Sequence, residues 1–174
     1  MTDLYHHISG SHSRMQSLMA HLPGYSGYQE NTDRRAADRL IRDHVASTFR
    51  AQLAEFVTAQ KSVLNSPNGL AHMSTLHDIQ SQWQVLIDRI SSAMPGYAGF
   101  YDAVKIGPDE LEKLYNFDEA LLGQTDKFKA ALETLNTAIH SNEGLDPAIS
   151  GLASTITTAA GVFNQRYGVI SGLK

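Results

Sequence analysis

Apolar residues recur along this chain at intervals of three, four and seven, the spacing that collects one face of an α-helix. The clearest stripe is Ala37, Ile41, Val45, Phe49, Leu53, Phe56 and Val63, which predicts a long helix from about Thr32 to Asn65. Asn31, Thr32 or Asp33 can cap its start, and Ser66-Pro67-Asn68-Gly69 breaks the chain after it. A second stripe, Met73, Leu76, Ile79, Trp83, Leu86, Ile87 and Ile90, predicts a helix from about Leu70 to Met94. A third opens at Gly107-Pro108, with Asp109, Glu110 and Glu112 in its first turn. Proline at the first helical position and acidic residues around it suit a helix N-terminus. Its stripe is Leu111, Leu114, Leu121, Phe128, Leu132, Leu135 and Ile139, and Asn142-Glu143-Gly144 ends it. A last helix begins at Asp146-Pro147 and carries Ile149, Leu152, Ile156, Ala160, Phe163, Tyr167 and Ile170. Ahead of all these, Leu4, Ile8, Met15, Leu18 and Leu22 predict a helix over about 2–21, weakened at Ser9-Gly10-Ser11.

No segment alternates with period two. The expected fold is therefore all-α: an elongated antiparallel bundle of four to five helices, in one domain spanning 1–174. Helices of about 34 residues extend roughly 50 Å at about 1.5 Å per residue.

The chain also repeats itself. Leu22-Pro23-Gly24-Tyr25-Ser26-Gly27-Tyr28 matches Met94-Pro95-Gly96-Tyr97-Ala98-Gly99-Phe100, and Met15, Leu18 and Leu22 align with Ile87, Ile90 and Met94. Proline stops a helix, and the glycines supply backbone conformations closed to other residues. A duplicated helix–PGYxG–helix unit follows, with pseudo-repeats over about 1–66 and 70–142 and an extra C-terminal helix over about 146–172 added outside.

Each long helix after a PGY loop places an aspartate on its apolar face. Asp38 lies three residues before Ile41, and Asp118 sits between Leu114 and Leu121. An unpaired buried carboxylate is costly, so partners are expected among Tyr25, Tyr28, Tyr97, the loop N–H groups, Arg34, Arg42 and His44. The structural expectation is that each aspartate clamps a loop onto its neighbouring helix. The functional alternative is a paired-carboxylate site for a metal or for proton transfer.

The stretches LPGYSGYQENTDRRAADRLIR and GYAGFYDAVKIGPDELEKLYNFDEALL resemble an uncharacterised family of bacterial helical-bundle proteins, marked by PGYxG followed by Tyr or Phe and by LYxFD. The resemblance covers about a third of the chain. It implies a helical fold and no catalytic residue, and it suggests a membrane-associated scaffold as a partner.

Composition narrows the functional classes. A formal net charge of −4 and pI of about 6.0 disfavour nucleic acid or an anionic membrane surface as partner, since both call for clustered Lys and Arg. Without cysteine there is no thiolate catalysis and no Cys-ligated metal. The first residues lack the pattern of a secretory signal and no apolar run approaches about 18 residues, so no membrane span and a cytoplasmic location are expected. No Glu-x-x-His pair of the di-iron type, phosphate-binding glycine loop or nucleophile elbow occurs, so no enzymatic activity, metal or cofactor is expected.

One surface stands out. From Pro147 to Lys174 the only charged side chains are Arg166 and Lys174. This low-charge helix either fills a groove of its own bundle or meets a protein partner or second copy, with Ile156, Ala160, Phe163 and Tyr167 as interface candidates. The expected function is thus a non-enzymatic interaction or scaffold bundle acting through helical surfaces. The alternative is a small-ligand or metal-binding bundle with its site near the paired PGY loops.

Overall fold

The computed structural model describes the backbone of residues 33–93 and 108–172 and the side chains of 39–93 and 116–165. The helix expected over 2–21, both PGY loops, and hence the duplication, lie outside the described residues. Within them the chain is all-α, with four helices and no strand: α1 Asp33–Leu64, α2 Gly69–Ser92, α3 Pro108–Ser141 and α4 Leu145–Gly172. These bounds fall within two residues of those expected from the stripes.

Two hairpins build the bundle. Asn65 to Asn68 join α1 to α2. Ser66 closes the end of α1 through its N–H and its hydroxyl, both donating to the Val63 carbonyl at 2.9 and 2.7 Å. Asn68 takes the left-handed conformation at φ 60°, and its carbonyl accepts the Ala71 N–H. A Cβ on Gly69 would meet the Val63 carbonyl oxygen at 1.9 Å, so only glycine lets the two helices turn this closely. The second hairpin turns through Asn142 at φ 55° and Gly144 at φ +74°. Here α4 begins one residue earlier than expected, because the Gly144 carbonyl already accepts the Ala148 N–H. Pro147 still falls in the first turn, where a missing N–H costs nothing.

The hairpins stack side by side. α1 packs on α2 and α3, and α4 packs on α3 and α2. Pairings at both ends set the directions. Arg42 of α1 acts on Asp118 of α3, and farther along Gln52 of α1 meets Thr125 of α3, so these neighbours run parallel. His72 and Arg89 of α2 meet Asp146 and Asn164 of α4 in the same order, so this pair is parallel too. The partners within each hairpin are antiparallel. The ring order is therefore α1–α2–α4–α3, which differs from a bundle in which every neighbour is antiparallel.

The stripes meet along the axis. Ile41, Val45, Phe49, Leu53, Phe56 and Val63 from α1 are buried with Leu76, Ile79, Trp83, Leu86, Ile87 and Ile90 from α2. Leu121, Phe128, Leu132 and Leu135 from α3 and Ile149, Leu152, Ile156 and Phe163 from α4 complete the core. The middle is aromatic. Phe128 contacts Phe49 and Trp83 at ring-centroid distances of 4.7 and 4.4 Å, and Trp83 contacts Phe56 at 5.7 Å, all tilted. Tilted rings at such distances gain about 0.5–1.5 kcal/mol per pair beyond burial. α4 thus stands as one wall of the bundle rather than outside it.

Candidate functional site

Three places in the bundle carry polar chemistry. The first is the end at which α1 begins and α2 finishes. Arg42 points inward from α1 and is only 4% exposed. Its Nη1 donates to the Ala93 carbonyl just past the end of α2. A cation at the C-terminus of a helix is well placed, since unsatisfied carbonyls and the helix dipole gather there. On α3, Asp118 is buried one turn before Leu121. Burial raises its carboxyl to about 7, against the opposing pull of Arg42, so near neutrality it exists in both protonation states. Burial lowers the Arg42 guanidinium from its ordinary value, countered by Asp43 and Asp118. Arg42 therefore links three helices: its own, the end of α2, and α3 through Asp118.

Asp118 is buried as its place in the stripe predicts, and of its expected partners Arg42 is brought to it. His44 lies on α1, partly buried, two residues along from Arg42. Asp38 and Arg34 belong to the first turns of α1, but their side chains lie outside the described residues, as do Tyr25, Tyr28 and Tyr97 altogether.

The second place is a polar layer within the aromatic middle. Gln52 is 7% and Gln124 3% exposed. Gln52 Nε2 donates to the Thr125 carbonyl at 2.8 Å, and Gln124 Nε2 to the Ala120 carbonyl at 3.2 Å. The Oε1 atoms of both glutamines, and the Trp83 Nε1, are buried with no protein hydrogen-bond partner. Reading the stripes as apolar residues alone misses this layer. Its signal was the spacing: Gln52 stands three after Phe49 and four before Phe56, and Gln124 three after Leu121 and four before Phe128.

The third is α4. Ile156 and Phe163 are buried in the chain's own core and Ala160 packs against it, so these interface candidates are already occupied intramolecularly. The Tyr167 side chain lies outside the described residues. Arg89 of α2 sits over the Phe163 ring, 5.3 Å from its centroid, and its Nη2 donates to Asn164 Oδ1 at 2.5 Å. The outer face of α4 presents Ser150, Gly151, Ser154, Thr157 and Thr158 to solvent. Thr155, Thr157 and Thr158 turn their hydroxyls back onto carbonyls four residues earlier, at 2.9 to 3.1 Å. The result is a neutral surface on which these threonine hydroxyls are spent on the helix's own backbone.

Among the described residues no three His, Asp or Glu side chains gather as a metal site would require, and no helix is long and apolar enough to cross a membrane. Comparison of the chain with protein-family models, curated proteins and solved structures finds no match. Fold and polar features together define the class of the described residues: an all-α bundle in which four helices form two stacked hairpins, tied at one end by a buried arginine.

Proposed function

We propose that this chain is a non-enzymatic interaction or scaffold bundle that acts in the cytoplasm by docking a protein, in the first instance a second copy of itself, on the outer face of α4. The supporting observation is the charge pattern of the surface. Between Pro147 and Gln165, α4 carries no charged side chain on any face, whereas exposed positions of α1 and α3 include Arg50, Glu55, Lys61, Asp126, Lys127, Lys129 and Glu133. Depletion of charge distinguishes the centre of a protein interface from the rest of a surface. Ser150, Ser154, Thr157 and Thr158 are also small enough for another helix to approach closely, with little side-chain entropy to lose.

The burial of Ile156 and Phe163 moves the proposed contact from the apolar stripe of α4 to its opposite side. Removing residues 145–174 would therefore remove core, and surface charge is the better probe. Light scattering should find the wild-type chain associated at tens of micromolar. The double variant Ser154→Arg, Thr158→Arg should be monomeric with an unchanged melting temperature. A wild type that stays monomeric over that range overturns the self-docking proposal.

A second reading, a small-ligand site near the PGY loops, draws support from the buried Arg42 and Asp118 at the end of the bundle where α2 finishes. The first is preferred because Arg42 already has a structural task in joining three helices.

A further inference from the structure

Three buried polar atoms in the core share a chemical requirement that the protein itself does not meet. Gln52 Oε1 and Gln124 Oε1 are acceptors without a donor, and Trp83 Nε1–H is a donor without an acceptor. A buried group left in this state costs about 1–3 kcal/mol, and native proteins satisfy nearly all such groups with protein or with ordered water.

The elements that carry these groups meet in the aromatic middle of the bundle. α1 and α3 run parallel, and the Gln52 amide reaches the carbonyl of Thr125, the residue next to Gln124. Phe49 and Phe56 bracket Gln52 one turn to either side, and Phe128 follows Gln124 by one turn. Trp83 packs on two of those rings, 5.7 Å from Phe56 and 4.4 Å from Phe128, so the indole enters the layer from α2. Reversing either glutamine amide would not help. It would turn the Gln52 oxygen toward the Thr125 carbonyl, and the Gln124 oxygen toward that of Ala120, setting acceptor against acceptor.

We infer that this layer is an internal hydration site: ordered water, shut in by the aromatic rings, accepts the Trp83 Nε1–H and donates to the Oε1 atoms of Gln52 and Gln124. Water suits the set because it offers two donors and accepts as well. Sites with two to four polar partners are where buried water is found, at about one per 27 residues of globular protein. No charged group is required, in keeping with the neutral side chains of the layer.

The indole proton of the single tryptophan is the natural reporter. In isotope-labelled protein, water-selective NMR should show a cross-peak between water and the Trp83 indole proton, with the sign that marks water held for longer than about a nanosecond. Gln52→Leu and Gln124→Leu, made separately, should each weaken or abolish that cross-peak while the indole resonance stays dispersed as in a folded core. Should a variant fail to fold, the wild-type spectrum decides alone. A wild-type indole proton protected from exchange but showing no contact with water overturns the inference. So does a cross-peak that survives both substitutions unchanged.

Discussion

Gly69 shows how one residue can hold a hairpin. Any side chain there would drive a carbon to 1.9 Å from the backbone oxygen of Val63, and a backbone atom cannot swing aside as a side chain can. Gly69→Ala should cost at least about 2 kcal/mol, a Tm lower by roughly 4–8 °C for a chain of this size, read by thermal circular dichroism. An unchanged Tm would mean that the turn relaxes freely. Asp118 acts through protonation. Its carboxyl titrates near 7 in the folded chain, above its ordinary value of 3.8, so the folded state holds this proton more tightly than the unfolded state. The stability that Asp118 contributes is complete below about pH 4. It declines as pH rises toward 7 and is lost above, a swing on the order of a few kcal/mol. Asp118→Asn keeps the shape and removes the titration. The variant should match the wild type below about pH 4, pull ahead as pH rises through the window up to 7, and melt at a higher temperature at pH 8.5. A lower Tm at pH 8.5 would show instead that the ionised carboxylate is a clamp worth more than its burial costs.

At the scale of the element, α4 was the hardest to place from sequence. Its stripe of Ile149, Leu152, Ile156 and Phe163 announced a buried face, yet low charge all round made its other face look buried too. Spacing shows which residues share a face; it does not show which neighbour that face meets. The structure assigns the stripe to the chain itself and leaves the serines and threonines outside. Phe163→Ala separates a core role from an interface role. It removes a buried ring and the platform beneath Arg89, so Tm should fall by about 6–12 °C, from a cost of about 3 kcal/mol or more. A change in association without a change in Tm would return Phe163 to an interface. The polar layer was hidden for a related reason. Glutamine is not counted as apolar, although Gln52 and Gln124 occupy stripe positions.

Among the described residues, the all-α class, the helix bounds and the large core residues were legible, because amphipathic spacing is a local property written into each helix; the buried alanines Ala46, Ala59, Ala138, Ala148 and Ala159 were not in the stripes. The ring order α1–α2–α4–α3 was not legible. It depends on how the two hairpins meet, through Phe49 with Phe128, Trp83 with Phe128 and Arg89 with Asn164, contacts between residues roughly 45 to 80 positions apart. The burial of Asp118 could be read from its place in the stripe. Its coupling to Arg42 was one option among several, since sequence does not say which cation shares its level of the bundle.

The division into two hairpins carries one more implication. Each forms most of its contacts within itself, and the two meet along a single seam lined by Phe49, Gln52, Trp83 and Arg89 on one side and Phe128, Thr125, Phe163 and Asn164 on the other. A seam of this kind does not distinguish a hairpin of its own chain from the same hairpin of another. Were two molecules to trade halves, the domain-swapped dimer would keep these seam contacts and the circular dichroism of the monomer. Such a dimer would form and dissolve slowly, because exchange requires the aromatic middle to open. It would also ignore arginines placed on the outer face of α4, which distinguishes it from association by surface docking.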